Sequence, residues 1–171
     1  DSTSSRGLGD VYKRQGYDGI SWAGAASSTT GMFKSTNGTD FSKINANNAS
    51  GQPYEVMDLE IAPDNKIWAS TTDIAIGPGG AILSSSDAST FVLKHTVSEA
   101  KRTEIEIASN GDIYVLSEIK SSANPVKIFK TTDEFSTVSE LTLPNDADTR
   151  IAANDFTRGQ SFYDLMIEVD P

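Results

Sequence analysis

The chain has 171 residues, of which 37% are hydrophobic and 22% charged, a composition typical of a folded globular domain. Its 24 acidic and 14 basic residues give a net charge of −10, which argues against a nucleic-acid partner because phosphate binding requires clustered Lys and Arg. Cysteine is absent, so disulfides, thiolate catalysis and cysteine-based metal sites are excluded. The chain has no run of about 18 apolar residues, and we therefore predict no membrane span.

The segment 4–15 reads SSRGLGDVYKRQ and resembles translated sequencing-adapter DNA, which occurs on many unrelated open reading frames. We interpret residues 1–15 as an artefactual or disordered tail, with a genuine polar terminus as the alternative. The fold and the function are therefore sought in residues 16–171.

Three phrases with a central aromatic residue recur at a fixed interval. Each is a polar turn followed by a short strand-like run, and the aromatic residues Trp22, Trp68 and Tyr114 are spaced 46 residues apart. The segments 55–61 and 103–107, which precede the last two phrases, alternate apolar and acidic residues with the period of two of a half-buried strand. A period in the forties that is built from strands is typical of β-propeller blades.

A second motif, Ser/Thr-x-Asp/Asn, recurs in phase with these strands. Its copies are Ser35-Thr36-Asn37, Ser85-Ser86-Asp87 and Thr131-Thr132-Asp133, at intervals of 50 and 46 residues. The longer first interval is most simply explained by extra residues in the segment 76–80, which is rich in Gly and Pro. Such a composition indicates a loop, where insertions are tolerated.

The first two copies of this motif resemble the Asp-box, or bacterial neuraminidase repeat, of sialidase-like propellers and of many secreted or surface proteins. Both copies are one residue short between the acidic position and the aromatic residue, and the third lacks the glycine and has Phe135 too early. In such a turn the short Asp or Asn side chain accepts hydrogen bonds from backbone N–H groups, while the aromatic residue packs between sheets. The residues to which we assign this structural role are Ser35, Asn37, Gly38, Phe41, Ser85, Asp87, Phe91, Thr131 and Asp133.

We therefore predict an all-β chain that forms a partial β-propeller of about three to four four-stranded antiparallel blades, with a period of about 46 residues. The predicted units are 16–30, which is partial, then 31–76, 77–123 and 124–171. Trp22, Trp68 and Tyr114 are expected in the core between blades. Because closed propellers use roughly four to eight blades, we interpret 16–171 as a segment whose first partners are the remaining blades of a longer protein.

Candidate sites for chemistry are few. His95 shares a strand face with Phe91 and Leu93, and we interpret it as structural, with a catalytic histidine as the alternative. Arg102 and Arg150 precede equivalent strands and are our candidate ligand-binding residues, with two unrelated charges at strand starts as the alternative. We assign no nucleophile, and we predict no metal site and no cofactor.

Two functions remain open. The first is a non-catalytic Asp-box propeller segment of a secreted or cell-surface protein, which serves as a scaffold for recognition of a glycan or a surface protein. The second is part of a sialidase-like or other glycoside hydrolase whose active site lies largely outside the segment. Sialidase-type chemistry would require an arginine cluster, a tyrosine activated by glutamate and an acidic proton donor. The residues therefore favour the non-catalytic reading.

Overall fold

A computed structural model of the chain describes residues 12–16, 31–73, 79–121, 125–145, 156–162 and 165–169. These residues contain eleven strands and no helix. The strands are β1 (Tyr12–Gly16), β2 (Gly31–Ser35), β3 (Ser42–Lys43), β4 (Val56–Ile61), β5 (Ile67–Thr71), β6 (Ala81–Ser85), β7 (Val92–Thr96), β8 (Ala100–Ile107), β9 (Ile113–Ile119), β10 (Val126–Thr131) and β11 (Ser139–Leu141). Within the described ranges, no helix has the length and apolarity that crossing a bilayer requires.

The strands form three antiparallel sheets. The first sheet has the order β1-β2-β3, the second β4-β5-β6-β7 and the third β8-β9-β10-β11. Every strand within a sheet therefore pairs with its neighbours in the sequence. The prediction of an all-β chain with four-stranded antiparallel units is confirmed by the second and third sheets.

Strand β1 was not expected, because residues 1–15 were set aside as a tail. Its backbone pairs with β2 from Tyr12 opposite Ser35 to Gly16 opposite Gly31. Trp22 and its predicted strand lie outside the described residues.

The second and third sheets share one register at positions 46 residues apart. Glu60 lies opposite Trp68 in the second sheet, and Glu106 lies opposite Tyr114 in the third. The pairing of β5 with β6 and of β9 with β10 keeps the same interval. The first strand of each sheet also carries an irregularity near its start. The spacing in the sequence is therefore a spacing of strand pairing.

The predicted units 31–76 and 77–123 each contain strands of two sheets, because the second sheet runs from Val56 to Thr96 and the third from Ala100 to Leu141. The units are aligned on the Ser/Thr-x-Asp/Asn motif, which lies in the turn between the last two strands of a sheet. Each four-stranded sheet has the order strand, turn, strand, loop, strand, turn, strand.

Three apolar clusters alternate with the sheets. The first cluster, between the first and second sheets, comprises Met32, Ile44, Ala46, Tyr54, Val56, Ala69, Ala81 and Leu83. The second cluster, between the second and third sheets, comprises Trp68, Ile82, Val97, Ala100, Ile105, Ile113, Val115 and Ile119. The third cluster, between the third sheet and the segment 165–169, comprises Leu116, Val126 and Leu165. The sheets are therefore stacked in sequence order.

Equivalent residues of the two four-stranded sheets face the sheet that comes before theirs in the sequence. Ala69 and Leu83 lie in the first cluster, and their equivalents Val115 and Phe129 lie in or against the second. Trp68, on the opposite face of the second sheet from Ala69, also lies in the second cluster. Because side chains alternate between the faces of a strand, both faces of the second sheet are apolar and covered.

The glycine pair before β6 lies against the backbone at the start of the third sheet and of the connection that leads to it. A Cβ atom on Gly79 would lie 2.1 Å from the carbonyl oxygen of Lys101, and one on Gly80 would lie 2.4 Å from that of Val97. Gly80 also has a φ of +78°. The segment 77–80 was predicted to be a loop; its described part is a turn that lets two sheets approach closely.

We expect Gly80→Ala to lower the free energy of unfolding by about 3 kcal/mol or more, because it adds a clash with a backbone atom to the strain of a positive φ. Gly111→Ala is the matched control. Gly111 has a φ of +88° with no atom within 4 Å of the added Cβ, so the expected loss is about 1 kcal/mol. Urea unfolding of both variants measures the difference, and equal losses would contradict the close approach.

Candidate functional site

The turn between β6 and β7 is held by one carboxylate. Asp87 Oδ1 accepts hydrogen bonds from Ser89 N at 2.8 Å and from Thr90 N at 2.7 Å. The hydroxyl of Ser85 donates to the same oxygen at 3.0 Å. Three donors therefore converge on an oxygen that belongs to the turn itself.

The other two turns use the same chemistry. In the first sheet, Asn37 Oδ1 accepts hydrogen bonds from Thr39 N at 3.0 Å and Asp40 N at 2.9 Å. In the third sheet, Asp133 Oδ1 accepts one from Thr137 N at 2.8 Å, four residues along the chain. The third turn is therefore one residue longer, yet its acidic side chain still accepts backbone hydrogen bonds.

These hydrogen bonds change the acidity of the turn carboxylates. The backbone N–H groups of Thr90 and Ser89 hold the pKa of Asp87 well below its usual range. The backbone N–H and the hydroxyl of Thr137 lower the pKa of Asp133 in the same way. Both side chains are therefore ionised acceptors near neutral pH, which suits a role in turn geometry better than one in proton transfer.

The aromatic residues of the turns pack on the sheet that precedes them. Phe91 packs against the first cluster and Phe135 against the second. Phe135 lies too early in the sequence motif, but Glu134 and Phe135 have φ angles of +54° and +70°, and this turn brings the ring to the second sheet. The expectation that Phe41 is buried between sheets is wrong. Phe41 is 41% exposed, and the described part of the chain contains no sheet before the first.

The repeat aromatic residues and the histidine have unequal positions. Trp68 is buried, with its ring centroid 5.7 Å from that of Phe135. His95, also on the second sheet, stacks on Phe135 with the ring centroids 5.1 Å apart, and burial lowers the pKa of the imidazole. Tyr114 is half-buried, with Lys130 Nζ 5.1 Å from its ring centroid. His95 is thus placed as part of the packing between two sheets.

Of the two candidate ligand-binding arginines, only Arg102 is described, and Arg150 lies outside the described residues. Arg102 Nε donates to Glu104 Oε1 at 2.7 Å, and Nη2 donates to the carbonyl oxygen of Leu165 at 3.2 Å. Its side chain is only 14% exposed. Arg102 therefore ties the segment 165–169 to the third sheet.

A row of carboxylates on the first strands of two sheets was not singled out as a site from the sequence. Asp58 and Glu60 lie on β4, and Glu104 and Glu106 lie on β8. Asp58 Oδ2 accepts a hydrogen bond from Ile105 N at 3.2 Å, which joins the two strands. The alternation of acidic residues in 55–61 and 103–107 was the available signal, but it does not reveal that the two strands are adjacent.

Burial and the neighbouring negative charges in this row raise the pKa of its glutamates. Burial, together with the charges of Asp58 and Glu106, raises the pKa of Glu60 to about 7. Burial also raises the pKa of Glu104 and of Glu106. Among the described residues, no group of three or more histidine or acidic side chains is arranged to hold a metal ion.

A groove of about 710 Å³ opens between the turn of the first sheet and the turn of the second. Lys34 and Lys43 supply its positive charge, and Asp40 is the carboxylate in its wall. Hydroxyl and amide side chains make up much of the remainder. The two lysines lie on β2 and β3, and the sequence motif does not mark either of them as a site residue.

Comparison with models of known protein families found no match, and a search of curated proteins found no significantly similar sequence.

We expect Asp87→Ala to lower the thermal unfolding midpoint more than Asp87→Asn. The asparagine keeps the side-chain oxygen that accepts the two backbone hydrogen bonds, as Asn37 does in the first turn, whereas alanine leaves both donors without it. Differential scanning calorimetry at pH 7 measures the order. Equal midpoints for the two variants would show that the acceptor oxygen does not hold the turn.

We expect Glu60→Gln to stabilise the protein at pH 8 and to leave its stability unchanged at about pH 3.5, below the ordinary pKa of a glutamate. The pKa of Glu60 is raised to about 7 in the folded state, so ionisation above that value disfavours folding, while below the ordinary pKa both states are protonated. The gain at pH 8 should be roughly 1–3 kcal/mol, since each unit of pKa corresponds to about 1.4 kcal/mol and partial exposure reduces the effect.

Urea unfolding across this pH range measures the gain. Glu140→Gln is the control for loss of one negative charge, because Glu140 lies on the exposed strand β11 with Lys127 as its partner. A difference between Glu60→Gln and the parent chain that is constant with pH would contradict the raised pKa.

Proposed function

We propose that the chain is a segment of an Asp-box β-propeller in which the sheets are blades, and that it acts as a non-catalytic scaffold for recognition of a glycan or a protein. The proposal places it in a secreted or cell-surface protein. Its first partners are the remaining blades of that protein. The proposal includes no cofactor and no metal.

One observation carries this proposal: the same turn occupies the same place in successive sheets that stack face to face. The second and third sheets share a register at a spacing of 46 residues, and Asp87 and Asp133 each hold the turn between the third and fourth strands. Propellers are built from four-stranded sheets that repeat in this manner, which supports the interpretation of the sheets as blades. The stacked apolar clusters support the same architecture.

The turns favour a scaffold over an active site. Asp87 and Asp133 have a lowered pKa, and Oδ1 of each accepts hydrogen bonds from donors of its own turn. Such groups do not exchange a proton near neutral pH. Recognition in this proposal therefore belongs to side chains that surround the turns.

A glycoside hydrolase is the second candidate, because one observation favours it. Glycoside hydrolysis commonly pairs a protonated carboxylic acid with an ionised carboxylate, and Glu60 has a pKa of about 7 beside Asp58. Arg102 weighs against the sialidase version, since its guanidinium already binds Glu104 and the backbone of Leu165. The non-catalytic scaffold therefore ranks first.

We expect the purified chain to be retained on immobilised glycans and to release no nitrophenol from a panel of nitrophenyl glycosides that includes a sialoside. Surface plasmon resonance measures retention, and absorbance measures release. Glu60→Gln is the matched variant for catalysis. Release of nitrophenol that disappears in Glu60→Gln would make the hydrolase the primary function.

A further inference from the structure

We propose that the groove between the first and second sheets binds an anionic saccharide, that is, a sugar with a carboxylate or sulfate group. This inference deepens the proposed recognition function and rests on it. It identifies a place on the chain, a chemical class of ligand and the two lysines that select it.

Lysine pairing across the chain gives the first argument. Six lysines with described side chains each form a salt bridge to a carboxylate; they are Lys66, Lys94, Lys101, Lys120, Lys127 and Lys130. Among the described residues, Lys34 and Lys43 have no carboxylate partner, and both line the same groove. In a chain of net charge −10, a groove lined by these two lysines and one carboxylate, Asp40, is locally positive and favours an anionic ligand.

The position of Lys34 gives the second argument. Its Nζ donates to the carbonyl oxygen of Asp87 at 3.2 Å and to Ser89 Oγ at 3.0 Å, both on the turn of the second sheet. An ammonium group has three N–H donors, so one remains for a ligand. The two neutral acceptors fix the ammonium in the wall of the groove without neutralising its charge.

The rest of the lining suits a sugar. Ser42, Asn45 and Thr90 present hydroxyl and amide groups, which can both donate to and accept from sugar hydroxyls. Asp40 is an acceptor for a sugar hydroxyl and is itself held by Asn37 Nδ2 at 2.6 Å. A volume of about 710 Å³ falls within the range of about 300–1,000 Å³ that is usual for small-molecule sites.

The repeat gives the third argument, because side chains at the equivalent positions of the second sheet contact the turn of the third sheet. Residues 50 positions apart correspond in the pairing of β2 with β3 and of β6 with β7, and the same interval along the sequence places Lys94 and His95 at the positions of Ile44 and Asn45. Lys94 pairs with Glu134 across the second junction at 3.0 Å, and His95 stacks on Phe135. Between the first and second sheets, this place is the open groove. Since the equivalent place between the second and third sheets is closed by contacts, folding of the repeat does not by itself require an open groove.

The test is a calorimetric titration of the full chain with trigalacturonate, with neutral galactotriose and with a κ-carrageenan oligosaccharide, which carries sulfate and no carboxylate. We expect at least one anionic sugar to bind and galactotriose to bind at least roughly tenfold more weakly. The comparison of trigalacturonate with κ-carrageenan identifies which anion the groove takes.

Lys43→Gln is the main variant, because Lys43 is exposed and its loss leaves the packing of the sheets intact. We expect it to weaken binding of the anionic sugar roughly tenfold. Lys127→Gln, which removes the same charge from the third sheet, should have little effect. Lys34→Gln should also weaken binding, and its thermal midpoint reports whether loss of the link to Asp87 loosens the junction.

Equal affinities in Lys43→Gln and Lys127→Gln would overturn the site while leaving glycan recognition elsewhere on the chain intact. Equal affinities for galactotriose and the anionic sugars would overturn the choice of an anion. Binding of no saccharide at all would overturn the site and would also remove the glycan arm of the proposed function.

Discussion

Trp68 and Phe135 meet across the junction of the second and third sheets with their ring centroids 5.7 Å apart. Burial of a large apolar side chain stabilises a fold by about 1.5–3 kcal/mol, and a well-oriented aromatic pair adds about 0.5–1.5 kcal/mol. Glu134, beside Phe135, is bridged by Lys66 and Lys94 of the second sheet. These charged side chains are about a third exposed, so their net contribution is small. Apolar packing, to which this aromatic pair belongs, therefore contributes more to the stability of the contact between the sheets than these charges do.

The sequence predicts those parts of the fold that depend on local chemistry. Alternation in 55–61 and 103–107 predicts strands, and the 46-residue interval predicts the shared register of Glu60 opposite Trp68 and Glu106 opposite Tyr114. The limits of the sheets do not follow from the turn motif, because it marks a hairpin inside a sheet and carries no information about which strand begins the sheet. The packing of Phe135 does not follow from the sequence either, since a pair of positive φ angles is not visible in a pattern of residue types.

The candidate sites could not be predicted from the sequence, because they depend on contacts between sheets. The raised pKa of Glu60 depends on the adjacency of β4 and β8, and the groove depends on the approach of Lys34 to the turn around Asp87. Both are contacts between sheets, and the distances along the chain are about 50 residues. Arg102 is the opposite case. Its spacing from Arg150 in the sequence suggested that it binds a ligand, whereas in the structure its guanidinium donates to Glu104 and to the carbonyl oxygen of Leu165.

The pairing of every strand with its neighbours in the sequence has a consequence for how this chain folds. The cost in entropy of closing a short loop is small, so each four-stranded sheet can form from local hairpins before it meets another sheet. Docking of one preformed sheet on the next then buries Trp68 and its neighbours. Stability in such an array is approximately a sum of sheet and junction terms. A substitution at one junction is therefore felt mainly by the two sheets that share it, and folding can propagate from either one.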